Sequence, residues 1–341
     1  MLASQSAIDF PPQMVLMQMA ASNWVSQSLY AIAKLGIADL LKDGEKSYQE
    51  LAKETETHAR SLYRLLRVSA SLGIFAETEP GYFTLTPLAN YLCSNTADSL
   101  RAQVIVNGEQ NYRAWGEIMY SLQTGESAFE HLYGMNLFEY YAQNPEPAKV
   151  FDEAMTNISA VENAQVVSNY NFTGIKTLVD VGGGHGKLLT DILKNHPQMK
   201  GILFDMPSAI TGAELSMSAE FQQRCKLVAG NFFESVPTGG DAYILKYIVH
   251  DWDDERAITI LKSCWEAMPK HAKLLIIEHI IPLGNQPYFG KMLDLHMLIM
   301  CPGGCERTEP EYSILFEKAG FKLNRIIPTQ SPLSVIEGIP V

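Results

Sequence analysis

Residues 178–186 read Leu-Val-Asp-Val-Gly-Gly-Gly-His-Gly, and the fold is decided there. The apolar run Leu178 to Val181 predicts a strand that ends in a glycine-dense turn. A helix follows at once, with Leu188, Leu189, Ile192 and Leu193 at helical spacing. Glycine lets a backbone turn sharply after a strand and approach a ligand that a Cβ would exclude. The next apolar run, Gly201 to Phe204, ends in Asp205, at the distance where a βαβ unit supplies a carboxylate for a ribose hydroxyl.

A dinucleotide site and an S-adenosylmethionine (SAM) site both fit that outline, and the glycine spacing separates them. The dinucleotide fingerprint G-x-G-x-x-G/A closes on a small residue that permits tight helix packing. Counted from Gly182 and Gly184, that place is Lys187. The chain instead reads D-x-G-x-G-x-G, with Asp180 ahead of Gly182, Gly184 and Gly186. SAM has no pyrophosphate; it carries a sulfonium and an amino-acid tail, which an acid ahead of the glycines suits. The spacing predicts a SAM site.

With 341 residues, 47% of them hydrophobic, the chain has room for a substantial core and two domains. A net charge of −12 argues against broad nucleic-acid binding and suits a cationic cofactor. Cysteines at 93, 225, 264, 301 and 305 form no C-x-x-C pair and read as reduced thiols of a cytoplasmic protein. No Lys or Arg precedes Lys34, so the basic start of a secretory signal is missing. Glu278 and His279 break the best apolar run, which leaves no membrane span expected.

From Pro12 to Leu35 the pattern is helical and apolar on nearly every side (Val15, Leu16, Met19, Trp24, Leu29, Ile32), which predicts cover from a second subunit. Helices are expected to start at Ser47, with Glu50 completing a capping box, and at Thr57, the second ending near Gly73. Ile74 to Leu85, turning at Glu79-Pro80-Gly81, reads as a hairpin. Helix, helix, hairpin is a winged helix. Arg60, Arg64 and Arg67 share one face of its second helix, where a DNA reader would hold basic side chains. The surrounding Glu50, Glu54, Glu56, Glu77 and Glu79 favour packing over DNA binding.

Leu100 to about Asn169 is mainly helical. From Gly174 the pattern becomes βαβ, with strands expected at 177–181, 201–205, 225–229, 241–245, 273–278, 321–327 and 332–337. Helices are expected at about 186–195, 208–218, 253–268 and 309–319. The last two strands, joined by a short turn, pair as an antiparallel hairpin on an otherwise parallel sheet. Ligands of such sheets lie beyond the carboxyl ends of the strands, where Gly182, Asp205, Asn231, Lys246 and Glu278 fall.

The segment Asp241 to Glu255, Asp-Ala-Tyr-Ile-Leu-Lys-Tyr-Ile-Val-His-Asp-Trp-Asp-Asp-Glu, is the second strong signal. It carries a strand into Lys246 and then into His250-Asp251-Trp252. Methyl transfer to oxygen requires the acceptor hydroxyl to lose its proton, and histidine is the side chain poised nearest neutrality. Its second ring nitrogen needs an acceptor to hold it; Glu278 and Glu306 are the candidates.

These residues carry a resemblance. L-V-D-V-G-G-G-H-G, F-D-x-P at 204–207, G-N-F-F at 230–233, I-L-K-x-I-x-H-D-W at 244–252, E-x-I-I-P at 278–282 and G-G-x-E-R-T at 303–308 together resemble the caffeate- and hydroxyindole-type O-methyltransferases. The likeness runs over nearly the whole chain. It implies a Rossmann-like α/β sheet, mostly parallel with an antiparallel C-terminal hairpin, after a mostly α winged-helix dimerisation domain. The domains would span 1–105 and 106–341, with 106–172 a helical region that forms the acceptor pocket. The resemblance further implies a homodimer that takes SAM, releases S-adenosyl-L-homocysteine (SAH), and methylates a hydroxyl of a small aromatic specialised metabolite.

By the same resemblance His250 is the general base, flanked by Glu278 and Glu306. Asp205 holds the ribose and Lys246 sits beside the cofactor, as do Phe232 and Trp252. In Phe151-Asp-Glu-Ala-Met155-Thr-Asn-Ile-Ser159, Phe151 and Met155 would line the acceptor pocket and Ser159 would touch the SAM tail. Asp251, Met297 and Cys301 would face the acceptor.

Three residues depart from the family pattern. Asn231 replaces the usual adenine-contacting Asp, while still offering a carbonyl acceptor. Cys301 stands where plant phenylpropanoid enzymes often carry Asn, and Cys305 replaces a Lys before E-R-T; both argue against a phenylpropanoid and point to a less polar or differently shaped acceptor. The set His250, Asp251, His279, His296, Cys301 and Cys305 matches no tight metal-ligand spacing, so no metal is expected. Two rival readings remain: a carbon or nitrogen methyltransferase of the same fold, metal-assisted or not, and a regulator that binds DNA and senses SAM.

Overall fold

The computed structural model describes residues 11–94, 96 and 98–341; the first ten residues of the expected N-terminal domain lie outside it. Two compact units form, one of residues up to Tyr112 with Glu146–Asn157, the other of Arg113–Pro145 with Ile158–Val341.

In the first unit the expected helix over 12–35 is two, Pro12–Ala20 and Ser22–Leu35, broken where Ala21 leaves helical geometry (ψ 3°). No residue of the first is buried, and Leu16, Met17 and Trp24 are 68%, 66% and 73% exposed. Ser47 and Glu50 form the expected capping box of helix Tyr48–Glu54. The next helix, Ala59–Ser71, is capped one residue later than the sequence reading places it. His58 is its N-cap, because the His58 ring nitrogen accepts from the Ser61 amide, whereas the Thr57 hydroxyl is engaged with Thr55. Strands β1 (Lys46–Ser47), β2 (Phe75–Glu79) and β3 (Tyr82–Leu85) make a small antiparallel sheet in the order β1-β3-β2. Ile32, Leu51, Leu62, Leu66, Phe75 and Phe83 form its core. Arg60, Arg64 and Arg67 are exposed, and Arg67 lies over the Tyr63 ring.

The second unit is built on seven strands: β4 (Thr177–Val181), β5 (Lys200–Asp205), β6 (Cys225–Ala229), β7 (Ala242–Lys246), β8 (Lys273–Glu278), β9 (Phe321–Pro328) and β10 (Ser334–Pro340). Their order is β6-β5-β4-β7-β8-β10-β9. The first five are parallel; β10 runs antiparallel between β8 and β9. Central strands covered on both faces need continuous apolar runs, and Val179, Val181, Ile244, Leu245 and Leu274 through Ile277 are completely buried. Helices Lys187–Asn195, Pro207–Ser216, Asp254–Ala267 and Glu309–Lys318 fall where the pattern predicts them.

Helix Phe289–Met300 is absent from the sequence reading. It is apolar around most of its circumference, so it shows no period from which a helix would be read. Helix Pro145–Asn169 carries residues of both units. Strand order reverses between β4 and β7, and at their carboxyl ends lie Gly182 and Lys246. No helix among the described residues is long and apolar enough to cross a membrane.

Candidate active site

At the end of β4 the chain turns through Gly182, whose φ of +71° belongs to the left-handed region that favours glycine. Its amide donates to the Phe204 carbonyl at 2.8 Å, and a Cβ here would lie 2.4 Å from Ile248 Cδ1. Gly184, at φ +56°, is different: a Cβ there would meet nothing within 4 Å, so the backbone at this residue faces open space. The Gly184 amide donates to Asp205 Oδ2 at 2.8 Å, and the Met206 amide to Asp205 Oδ1 at 2.6 Å. Under the loop lies Asp180, only 2% exposed, with Oδ2 unpartnered among the described residues. Burial, with help from Asp205, pushes its carboxyl up to about 7.

An open backbone at Gly184, above a buried carboxyl with one unpartnered oxygen and beside a second carboxyl, fits a ligand that brings positive charge, as SAM does. A Gly182→Ala substitution is expected to weaken SAH binding roughly 5- to 150-fold, the equivalent of about 1–3 kcal/mol of backbone strain. Isothermal titration calorimetry reads this, and wild-type affinity would refute the loop's role.

Lys246 and Ser159, far apart in sequence, are brought together: Lys246 Nζ donates to Ser159 Oγ at 3.1 Å and pairs with Glu162 Oε2 at 3.0 Å. Burial pulls the lysine below its ordinary range against the opposing pull of Glu162. The Asn231 side chain closes its own turn. Its Oδ1 accepts from the Phe233 amide at 3.0 Å, so the acceptor that the sequence reading reserves for an adenine amino group is already shared. Phe232 and Phe233 meet the Trp252 ring edge-on. A cavity of about 470 Å³ opens beside Trp252, also lined by Phe138, Phe233, Glu130, Arg256 and Cys301.

His250 sits on the short turn Val249–Asp251 after β7 and is buried. Its Nδ1 is 2.6 Å from Glu306 Oε1, and its Nε2 is 3.5 Å from Asp251 Oδ1. Burial alone would lower the imidazole pKa; Asp251 and Glu306 outweigh it and carry His250 to about 9. Burial raises Asp251 to about 6 against the pull of His250. The Cys301 thiol, also buried, donates to Asp251 Oδ1 at 3.7 Å.

The sequence reading has Glu278 hold the imidazole together with Glu306, whereas in the structure it makes no hydrogen bond to the ring. Its Oε1 accepts from the amides of Ile248, Val249 and His250 at 3.1, 2.7 and 3.1 Å, and its Oε2 accepts from Tyr312. It therefore shapes the backbone that presents His250 rather than the ring. Arg307, missed in the sequence although E-R-T contains it, is 2% exposed and clamps the same turn through the carbonyls of Val249 and Trp252 and through Asp254.

Met297 is buried, and the Cys301 amide donates to its carbonyl; Gly304 packs between that carbonyl, Cys301 and the His250 carbonyl. Phe151 and Met155 fall in the first unit, where Phe151 packs against Ala102, Val106 and Ala154, and Met155 is 38% exposed. Among the described residues no group of three or more His, Cys, Asp or Glu side chains is arranged to hold a metal.

Comparison with known proteins gives this geometry a family. Residues 115–322 match an O-methyltransferase domain, and residues 17–95 an O-methyltransferase dimerisation domain. The chain is 48% identical to the phenazine O-methyltransferase PhzM of Lysobacter antibioticus, over 97% of each chain. It is 38% identical to the 3-amino-4-hydroxybenzoate 4-O-methyltransferase of Streptomyces cremeus, over 91% of this chain and 86% of that one. The SAH-bound structure of CalO1, a methyltransferase of calicheamicin biosynthesis, superposes with a TM-score of 0.84 at 31% identity, covering 98% of this chain and all of that one. With a SAM-type glycine turn and a histidine at the adjacent strand end, the chain belongs to the SAM-dependent O-methyltransferases that carry a dimerisation domain.

Proposed function

We propose that the enzyme methylates a hydroxyl of a small aromatic specialised metabolite and that His250 is the general base. The buried His250–Glu306 pair at 2.6 Å carries the reading. Bound SAM supplies a methyl group on a sulfonium centre, open to in-line displacement by an oxygen nucleophile. When the imidazole is neutral, Nδ1–H donates to Glu306, which leaves Nε2 as the acceptor for the hydroxyl proton. Asp251, beside Nε2, holds the imidazolium once it forms. The aromatic acceptor class is supported by relatives named for phenazine and hydroxybenzoate O-methylation. Met297 and Cys301 are assigned to its pocket, and Ser159, Asp180, Gly182, Gly184, Asp205, Asn231, Phe232, Lys246 and Trp252 to the cofactor.

The base has a pH signature. A pKa of about 9 means that the competent neutral imidazole is scarce at pH 7 and grows as pH rises towards 9. Glu306→Gln removes a negative charge that favours the imidazolium, so the midpoint should move to lower pH. NMR titration of the His250 ring in ligand-free enzyme reads this directly. An unmoved midpoint would contradict the pairing.

The main test is a mass-spectrometric assay of SAM against phenols, catechols, hydroxyindoles and polyketide phenols, with His250→Ala alongside. One methyl gained on oxygen, and lost in the variant, is the expected result; methylation at carbon or nitrogen overturns it.

The first unit serves dimerisation, and the second, which holds the seven-stranded sheet, is the catalytic one. The exposed Leu16, Met17 and Trp24 would be covered by a second copy of this chain. Light scattering should give twice the chain mass. Its winged helix is used for packing rather than DNA, and the five free thiols suit a cytoplasmic enzyme.

A further inference from the structure

Between Lys246 and the base turn stands Tyr247, a residue the functional reading leaves without a role. Among the described residues only two other than glycine take a positive φ, Glu56 and Tyr247, the latter at +55°. A bulky side chain held in the left-handed region is costly and persists where the surroundings over-determine it, which is most often at a functional site.

What over-determines it is visible. The Tyr247 ring stacks on the His250 imidazole, with centroids 5.0 Å apart and planes at 29°. The Lys246 ammonium lies over the same ring, 5.1 Å from its centroid. The phenol donates to Glu162 Oε1 at 2.7 Å, while Glu162 Oε2 pairs with Lys246. His279 Nε2 lies 3.4 Å from the phenol oxygen. Burial and Glu162 push the phenol far above its ordinary range, so it stays a donor to the carboxylate. Burial carries His279 down to about 4, which keeps that ring neutral. One side chain thus touches the base with its face and, with its hydroxyl, the carboxylate that neutralises the cofactor-side lysine.

We propose that Tyr247 is a positioning residue that holds the His250 ring with its face and, through Glu162, the Lys246–Ser159 end of the cofactor site with its hydroxyl. The proposal rests on the reading of His250 as base and of Lys246 and Ser159 as cofactor-facing. It divides Tyr247 into two separable halves. Tyr247→Phe keeps the ring and loses the donor; Tyr247→Leu loses both.

SAH affinity, read by calorimetry, should fall in both variants by roughly 2- to 30-fold, the range for a side chain that acts through a neighbour. Glu162→Gln should show a similar loss, and Tyr247→Phe added to it should cost little more, because the two act as one unit. Turnover at saturating SAM and acceptor should fall in Tyr247→Leu, and Phe should recover much of it without recovering SAH affinity. Wild-type SAH affinity in Tyr247→Phe overturns the proposal, as does undiminished turnover in Tyr247→Leu. Losses of turnover and affinity that rise together with a lowered melting temperature, with Phe rescuing both, reduce Tyr247 to a packing residue and overturn it as well. Full turnover in His250→Ala would instead sink the base assignment, and the SAH titrations would still decide the link through Glu162.

Discussion

His250→Ala should lower turnover by roughly 10²- to 10⁴-fold, the contribution of a positioned base, and leave SAH affinity nearly unchanged. The imidazole is buried and its Nδ1 is fixed by Glu306; it meets the Lys246–Ser159 group only indirectly, through the Tyr247 ring, which Glu162 also holds. Removing it should therefore strip proton abstraction while the cofactor groups stay in place. The remaining reaction depends on the acceptor's own ionisation. A phenol titrates near pH 10, so the residual rate of the variant should climb about tenfold per pH unit up to that point. The wild-type rate should instead level off near the His250 midpoint. Equal pH profiles in the two enzymes, or unreduced turnover in the variant, would remove His250 from the chemistry.

Glu278→Ala should be the most damaging substitution to the fold around the site. The carboxylate is fully buried and accepts three consecutive amides and the Tyr312 hydroxyl. Its loss leaves those donors without a partner in a place water does not reach, a defect of about 3–5 kcal/mol, comparable to breaking a buried pair. For a unit of this size that corresponds to a fall in melting temperature of roughly 6–20 °C. Turnover should disappear with it, because the amides released are those of the turn that presents His250. Thermal unfolding with and without SAH is the measurement. A melting temperature within a degree or two of wild type would show that the turn does not depend on this carboxylate.

Much of this was readable in the sequence. Gly182 and Gly184 announce a strand-to-helix turn because their spacing is a backbone requirement, and backbone requirements survive in a linear string. Lys246, His250 and Glu278 were locatable because each ends or follows a strand, where α/β sheets hold their chemistry. The division of labour between Glu278 and Glu306 was not, since the choice between ring nitrogen and backbone amide is fixed only when β8 and the 303–308 segment meet. Glu162 lies one helical turn beyond Ser159, a spacing that puts both on one face and is the one sequence signal that points to it. Tyr247 stands inside its motif without a signal, because nothing in a sequence announces a positive φ at a residue other than glycine. Helix Phe289–Met300 is hidden because its three polar residues, Lys291, Asp294 and His296, define no single polar face.

The single helix Pro145–Asn169 bears on how such enzymes can be recombined. Its residues Glu146–Asn157 pack with the N-terminal unit, and those from Ile158 onward with the sheet-bearing one. A crossover placed at the apparent boundary near residue 112 would graft one parent's N-terminal unit onto a stranger's helical segment. Chimeras between relatives should be viable when 146–157 travels with the N-terminal parent, so the unit of inheritance is discontinuous in the gene although each unit is compact in space.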